Sequence, residues 1–239
     1  MTVEYDGSGY CGWQIQPNGT GIQQVIEEKI AIITQEPVRL IGSGRTDAGV
    51  HALSQVANFR TESNIPCTNL LRGLNSMLPS DIAVKDLRDV DETFHARYTA
   101  KSKVYFYNIL NGPVRSALKY RCSWHIRDIL DCDAMREAAS HLVGTHDFSS
   151  FCAADSDTVN HVRTIMSLDI EAAEPMIVLT VEANGFLRHM VRNIVGTLVD
   201  VGRGTGKALD IDAILAAKDR SAAGITAPPQ GLFLKEVRY

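Results

Sequence analysis

The sequence predicts an α+β protein made of two βαββαβ halves, each with a largely antiparallel sheet and helices packed on one face. Two observations lead to this prediction. Apolar residues recur with period two in some segments, as in strands, and with the 3.6-residue period of a helix in others. These strand and helix segments follow the same order in the first and second parts of the chain, which indicates two similar units.

Six elements are expected in the first half, in the order β-α-β-β-α-β. The first helix is expected to begin at Thr20, because Thr20 and Gln23 have the spacing of a capping box. The second is expected to begin at Pro66 and to stop before Pro79. One face of the first helix carries the apolar residues Ile22, Val25, Ile26, Ile30 and Ile33. The strands are expected at residues 3–5, 38–41, 53–61 and 82–90.

The second half repeats this order with one additional helix. Asp131 is expected to cap the first of its helices, a long helix is expected from about Phe186 to Val201, and a short one is expected to begin at Asp210. The strands are expected at residues 103–110, 162–170, 177–181 and 232–239.

No low-complexity linker separates the two halves. We place their boundary near residues 92–102, so that residues 1–97 form the first half and residues 98–230 the second. The last strand, 231–239, is a candidate to complete the first half. Sheets of this topology expose one face and are a familiar platform for RNA binding, but a fold alone does not establish a function.

The composition is that of an ordinary globular protein. Of 239 residues, 45% are hydrophobic and 22% are charged. No apolar run approaches eighteen residues, so no membrane span is predicted, and the N-terminus lacks a secretion signal, so a cytoplasmic location is expected. The five cysteines are scattered without a C-x-x-C pair, which argues against a zinc site and a disulfide framework.

The charge balance argues mildly against a nucleic-acid partner. The net charge is −4 and the isoelectric point is near 6.0, whereas a basic domain is the usual sign of phosphate binding. The acidic excess lies in the first hundred residues, and acids and bases balance over the rest. A basic groove would therefore have to be formed locally by folding or by assembly.

The most informative stretch is the loop of residues 42–52, Gly-Ser-Gly-Arg-Thr-Asp-Ala-Gly-Val-His-Ala. Its glycines allow the backbone to adopt positive φ and to approach a bound group closely. If the chain is extended here, Arg45 and Asp47 project to the same side and Thr46 to the other. A guanidinium beside a carboxylate keeps it ionised, which makes Asp47 a candidate nucleophile. On spacing alone, a surface ion pair worth about 0–1 kcal/mol is the more common explanation.

Two further segments carry candidate site residues. In the strand at 103–110, Tyr105, Tyr107 and Ile109 share one face. The sequence leaves open whether this face packs in the core or is exposed to a cleft. In the helix expected from Phe186, Arg188 and Arg192 lie four residues apart along one flank.

Two other patterns are weaker. His146 and Asp147 are adjacent, but no serine or cysteine motif accompanies them, so hydrolase chemistry is not favoured. The segment 202–207 superficially resembles a phosphate-binding loop but lacks the full Walker spacing, and we interpret it as a basic loop.

Several motifs, taken in order, resemble those of the tRNA pseudouridine synthase A family. They are residues 42–52, 94–97, 101–109, 144–151, 184–196 and 227–234. The resemblance covers nearly the whole chain. It implies the pseudouridine synthase fold, in which two ferredoxin-like or RRM-like halves form a mixed, largely antiparallel sheet with a central cleft.

The resemblance also implies a function. Members of the family are isomerases that convert uridine to pseudouridine in the anticodon stem-loop of tRNA, at positions 38, 39 and 40. By this resemblance Asp47 is the catalytic nucleophile, Tyr105 stacks on the target base, and Arg192 pairs with the Asp47 carboxylate. We expect Arg45 to help hold the flipped nucleotide and Asp47. The resemblance further implies a homodimer that binds tRNA across both subunits. Because no step of the isomerisation is redox and no hydride moves, we expect neither a cofactor nor a metal to be required.

Two alternatives remain open from the sequence. The chain could be a non-catalytic RNA-binding module with the same sheet platform. It could also be an enzyme that forms an aspartyl intermediate with a phosphate or acyl substrate, which would need a metal or an oxyanion loop.

Overall fold

The computed structural model describes residues 1–156, 158–204 and 211–239, and it divides the chain into two compact units. Unit 1 comprises residues 1–101 and 233–239, and unit 2 comprises residues 102–232. Both contain helices and strands, and most strand pairs are antiparallel, so the predicted α+β class is confirmed. In the described part of the chain, no helix has the length and apolar character needed to cross a membrane.

Unit 1 has the predicted order β-α-β-β-α-β. Its elements are β1 (Thr2–Tyr5), α1 (Ile22–Thr34), β2 (Ile41–Gly42), β3 (His51–Asn58), α2 (Cys67–Met77) and β4 (Ile82–Asp86). Strand β1 lies between β3 and β4 and is antiparallel to both. The C-terminal strand β10 (Leu232–Arg238) pairs in parallel with β3, with Phe233 opposite His51.

Helix α1 begins two residues later than predicted. Gly21 is its N-cap, and no side chain caps it, so the predicted capping box of Thr20 and Gln23 is wrong. The Gln23 side chain is buried and donates instead to the carbonyl of Leu40 at 3.1 Å. Full burial of Ile22, Ile26 and Ile30 confirms the predicted apolar face.

The strand expected at 38–41 is reduced to β2. The carbonyl of Leu40 accepts the Gln23 amide, and the backbone N–H of Leu40 donates to Oε1 of Glu27 at 2.7 Å. Side chains of α1 thus form hydrogen bonds with the backbone groups of Leu40. In a longer β2, these groups would pair with a neighbouring strand. Strand β4 is also shorter than predicted and ends at Asp86.

Unit 2 contains more strands than predicted. Its elements are β5 (Ser102–Asn111), β6 (Trp124–Ile126), α3 (Cys132–Ser140), β7 (Gly144–Asp147), β8 (Val162–Ala173), β9 (Met176–Ala183), α4 (Met190–Gly202) and α5 (Ile211–Ala217). Strand β9 lies between β5 and β8 and is antiparallel to both, and β7 pairs with the other side of β8. The sequence did not reveal β6 and β7, which are too short for a periodic pattern.

Two helix predictions of unit 2 can be compared with the structure, the cap of α3 and the start of α4. Asp131 caps α3, with its carboxylate accepting the backbone N–H groups of Asp133 and Ala134 at 3.0 Å, as predicted. The predicted start of the short helix at Asp210 lies outside the described residues, as does the 205–207 part of the basic loop.

Helix α4 begins at Met190 instead of Phe186, because His189 has a left-handed backbone with φ of 62°. Arg188 therefore lies before the helix and does not share a helical flank with Arg192. Its guanidinium instead pairs with Asp155 at 2.8 Å.

Candidate active site

Hydrogen bonds attach the first residues of the 42–50 loop to β3. The backbone N–H of Ser43 donates to the Val56 carbonyl at 2.8 Å, and its buried hydroxyl donates to Oε1 of Gln55 at 2.6 Å. The Gln55 amide in turn donates to the Gly44 carbonyl at 3.0 Å. These bonds hold the backbone immediately before the two charged residues.

Thr46 is the internal anchor of this loop. Its side chain is buried, and its hydroxyl is hydrogen-bonded to the hydroxyl of Tyr5 at 2.8 Å. Its carbonyl accepts the backbone N–H of Trp13 at 3.1 Å. Arg45 is exposed and Asp47 is half-buried, so the alternation expected of an extended chain is present.

The glycine-rich segment 7–12 packs directly against the loop. Gly12 has φ of 87°, and a Cβ atom there would lie 2.3 Å from the carbonyl oxygen of Thr46. A Cβ at Gly7 would lie 2.0 Å from the carbonyl oxygen of Val50. Only glycine allows both backbones to approach this closely. The backbone N–H of Val50 donates to the Asp47 carbonyl at 3.1 Å and closes the turn.

Tyr5 supports the loop as a neutral group. Burial raises the pKa of Tyr5 to about 12, and the hydrogen bonds with Thr46 and Gln55 act in the opposite direction without offsetting it. The hydroxyl therefore keeps its proton at physiological pH and remains available to Thr46.

His51 fixes the other end of the loop, although the sequence had not marked it as a site residue. Its buried ring stacks on Phe233, with centroids 4.5 Å apart. Its Nδ1 accepts the backbone N–H of Gly7 at 3.1 Å and lies 3.1 Å from a carboxylate oxygen of Asp6. The position of His51 within the 42–52 motif was the one feature of the sequence that could have indicated this role.

Tyr105 lies on β5, opposite Val181 of β9, and is buried. The ring of Phe186 approaches it edge-on, with centroids 5.0 Å apart and an interplanar angle of 81°. Tyr107, on the same face, is fully buried and donates its hydroxyl to the Pro228 carbonyl at 2.7 Å. Tyr107 therefore belongs to the packed interior of unit 2.

Arg192 lies on α4 and is half-buried. Its Nε donates to the carbonyl of Ala227 at 2.7 Å, and the backbone N–H of Ala227 donates to the Arg192 carbonyl at 3.1 Å. These two hydrogen bonds between Arg192 and Ala227 orient the Arg192 guanidinium.

The segment 224–228 lies directly on α4. A Cβ at Gly196 would be 1.7 Å from the carbonyl oxygen of Ile225. The buried Asn193 amide donates to the Phe151 carbonyl at 2.8 Å, and its oxygen accepts the hydroxyl of Thr226 at 2.7 Å. The helix and the segment thus form one packed element around Arg192.

The structure brings Arg45 and Asp47 together in one loop of unit 1, and it places Tyr105 and Arg192 in unit 2. The adjacent His146 and Asp147 have structural partners: His146 is hydrogen-bonded to the Val143 carbonyl, and Asp147 pairs with Lys218 at 3.0 Å. Over residues 1–156, 158–204 and 211–239, histidine, cysteine and acidic side chains form no group of three that could hold a metal ion.

A sequence model described as tRNA pseudouridine synthase matches residues 1–99 and 138–239. The chain belongs to the tRNA pseudouridine synthase family. Three relatives are named tRNA pseudouridine synthase A and align with all of this chain. They come from Thermoanaerobacter sp. (strain X514), with 50% identity and 98% of the relative covered, Syntrophotalea carbinolica, with 49% and 95%, and Geotalea uraniireducens, with 47% and 98%.

The resemblance inferred from the motifs is therefore confirmed. As a tRNA pseudouridine synthase, the chain is an isomerase that converts uridine to pseudouridine in tRNA. The 42–52 and 184–196 motifs both lie within the residues that the family model matches, whereas Tyr105 lies between its two matched segments.

Proposed function

We propose that Asp47 is the nucleophile with which this tRNA pseudouridine synthase isomerises uridine. The observation that carries the proposal is the geometry of the 42–50 loop. Thr46 is anchored inside unit 1, while Asp47 is only half-buried. Hydrogen bonds before and after Asp47 in the chain hold the loop backbone. Arg45, the other charged residue of this exposed side, would help to hold the flipped nucleotide and the Asp47 carboxylate.

The reaction explains why a carboxylate is needed. The bond between N1 and C1′ must break, the uracil must turn, and C5 must join C1′ without loss of the base. A carboxylate that bonds covalently to the substrate divides this change into two easier steps. The isomerisation transfers no hydride and changes no overall oxidation state, so the proposal requires neither a metal nor an organic cofactor.

We assign supporting roles to Tyr105 and Arg192. Stacking of the target base on the Tyr105 ring would contribute about 1–3 kcal/mol. Arg192 would bind the carboxylate of Asp47, because a guanidinium fork matches a carboxylate better than an ammonium group does. Its Nε bond to Ala227 supports this role, since an arginine that is already oriented loses less entropy on binding.

We further propose that the substrate uridines lie in the anticodon stem-loop, at tRNA positions 38, 39 and 40. A uridine stacked in a stem must be flipped out, at a cost of a few kcal/mol that contacts in the pocket offset. We also propose a cytoplasmic homodimer whose tRNA site includes both subunits. Assembly offers an acidic chain a way to form a basic groove. The family resemblance of the motifs supports these assignments.

One experiment tests both the nucleophile and the positions. Purified wild-type protein and the Asp47→Asn variant are incubated with unmodified tRNA, and pseudouridine is mapped by carbodiimide-blocked primer extension. We expect wild type to modify positions 38–40 and Asp47→Asn to lose activity by at least about a thousandfold while still binding tRNA, because a nucleophile acts mainly in the chemical step.

The matched control is Asp89→Asn, an exposed aspartate outside the loop, which should behave as wild type. Activity of Asp47→Asn close to that of Asp89→Asn would disprove the role of Asp47. Pseudouridine found only at other tRNA positions would disprove the assignment to the anticodon stem-loop.

A further inference from the structure

Positive charge is concentrated in one stretch of this acidic chain. Residues 93–127 contain seven lysine and arginine residues and no aspartate or glutamate. The other 17 of the 24 basic residues share the rest of the chain with all 28 acidic residues. The seven are Arg97, Lys101, Lys103, Arg115, Lys119, Arg121 and Arg127. A phosphate backbone that approaches this stretch meets no carboxylate from within it.

At the start of the stretch, in unit 1, an aromatic ring is presented to solvent. Tyr98 is 77% exposed. The ring of His95 lies beside it, with centroids 4.2 Å apart and an interplanar angle of 31°. The guanidinium carbon of Arg97 lies 5.8 Å from the centroid of the Tyr98 ring. Aromatic rings and arginine are the groups on which proteins stack unpaired nucleic-acid bases.

Local hydrogen bonds hold the backbone that carries Tyr98 and the His95 ring beside it. Nδ1 of His95 accepts the backbone N–H groups of Arg97 and Tyr98, both at 3.2 Å. The His95 carbonyl accepts the backbone N–H of Thr99 at 3.0 Å and its hydroxyl at 2.6 Å. We call residues 95–99 the platform turn, since their backbone is closed by their own side chains.

The platform turn is also tied to the rest of unit 1. The backbone N–H of Ala96 donates to Oδ1 of Asn58 at 2.8 Å, and the Ala96 carbonyl accepts the hydroxyl of Tyr239 at 2.8 Å. Because this backbone is already ordered, the turn loses little further entropy when Tyr98 binds a ligand.

The same pairing recurs in unit 2, within the same stretch. Tyr120 is 57% exposed, and the guanidinium carbon of Arg121 lies 5.4 Å from its ring centroid. A single exposed tyrosine is unremarkable on a protein surface. Two exposed tyrosines, each beside an arginine in a stretch without acidic residues, favour a polyanion with planar bases.

We propose that the platform turn binds tRNA away from the reacting uridine, with an unpaired base stacked on Tyr98 and a nearby phosphate contacted by Arg97. The inference rests on tRNA being the substrate, as in the proposed function, and adds a contact that none of the residues assigned to the reaction supplies. Within the turn Ala96 is buried and Thr99 is polar, so it exposes no aliphatic surface for a protein partner.

The first test is the affinity of the full chain for unmodified tRNA. We expect Tyr98→Ala to weaken binding by about fivefold or more, and Tyr98→Phe to stay within about twofold of wild type because the ring remains. In a pseudouridine assay, Tyr98→Ala should raise KM more than it lowers kcat, because the contact acts in binding.

The second test is the dependence of affinity on salt. Arg97→Ala should reduce the slope of log affinity against log salt concentration by about one, as expected for the loss of one phosphate contact. The matched control is Arg88→Ala, whose side chain is 78% exposed but lies outside the stretch. It should leave the slope unchanged.

Two results would overturn the inference. One is wild-type tRNA affinity in Tyr98→Ala. The other is a change in the oligomeric state of Tyr98→Ala without RNA, which would assign the turn to contact with a second copy of the chain. If wild type forms pseudouridine at positions 38–40 and Tyr98→Ala binds normally, this inference alone fails. If wild type forms none there but Tyr98→Ala still loses affinity, the proposed positions fail and the inference stands.

Discussion

Thr46 directs the two charged residues beside it. Its hydroxyl is bonded to that of Tyr5, which lies 41 residues away in the sequence, inside unit 1. Because side chains alternate along an extended chain, anchoring Thr46 inward turns Arg45 and Asp47 outward. The high pKa of Tyr5, about 12, keeps the anchoring hydroxyl neutral. A neutral, buried hydrogen bond thus orients the proposed nucleophile.

Gly12 provides a test at the residue scale. In Gly12→Ala, a left-handed backbone alone would cost about 1–3 kcal/mol, and the new Cβ would lie 2.3 Å from the Thr46 carbonyl oxygen. We expect a lower free energy of unfolding, measured with urea, and reduced pseudouridine formation, because the loop must shift.

The matched control is Gly9→Ala, where an added Cβ meets no atom within 4 Å. It should change the free energy of unfolding by no more than about 0.5 kcal/mol. If the two variants were equally stable and active, the glycine-rich segment would not position the loop.

At the scale of elements, α4 and the segment 224–228 act together. The backbone N–H of Gly224 donates to the hydroxyl of Thr197 at 2.9 Å, and Ala227 exchanges two hydrogen bonds with Arg192. The helix therefore supplies the arginine, and the segment orients it. The sequence pattern predicts a longer helix, because a left-handed backbone at His189 cannot be inferred from it.

Gly196 tests this pairing. Glycine to alanine inside a helix normally stabilises it by about 1 kcal/mol. In Gly196→Ala we expect the opposite, a loss of about 1–3 kcal/mol from overpacking, because the Cβ would lie 1.7 Å from the Ile225 carbonyl oxygen. Thermal unfolding measures the loss, and kcat should fall as the segment moves away from Arg192.

Gly73→Ala, in α2, is the control. There the Cβ would meet only the flexible end of the Ile33 side chain, at 3.1 Å. This variant should be close to wild type in stability and activity. A stabilising effect of Gly196→Ala would contradict the packing of α4 on the segment.

At the scale of the whole molecule, acid stability depends on carboxylates that have partners in the folded state. The hydroxyl and backbone N–H of Ser149, together with Lys218, hold the pKa of Asp147 at about 2, below its ordinary value of 3.8. The folded state therefore binds this proton less readily than the unfolded state does. The resulting stability is present above about pH 4 and is lost as the pH falls towards 2.

The prediction concerns the difference between two proteins. Wild type should be more stable than Asp147→Asn at neutral pH, and the difference in their free energies of unfolding should shrink between about pH 4 and pH 2. Urea unfolding over this range measures it, with Asp169→Asn, an exposed aspartate on β8, as the control. A difference that stays constant with pH would exclude the depressed pKa as its cause.

Local patterns predicted much of the fold. Hydrophobic periodicity identified the α+β class, the order of elements in unit 1 and the buried face of α1, and the helix-start signal identified Asp131 as the cap of α3. These features depend on neighbouring residues, so a single sequence contains the necessary information. The same information missed the short strands β6 and β7 and misplaced the starts of α1 and α4.

The motifs of the sequence by themselves determined the family, and with it the isomerisation of uridine in tRNA. The tertiary structure decided what local patterns could not show: that Gln23 bonds Leu40 instead of capping its helix, that β10 returns to β3, and that Thr46 faces Tyr5. Each of these contacts joins residues distant in the sequence. Their partners become neighbours only when burial of the apolar faces brings the elements together, and no local preference encodes that outcome.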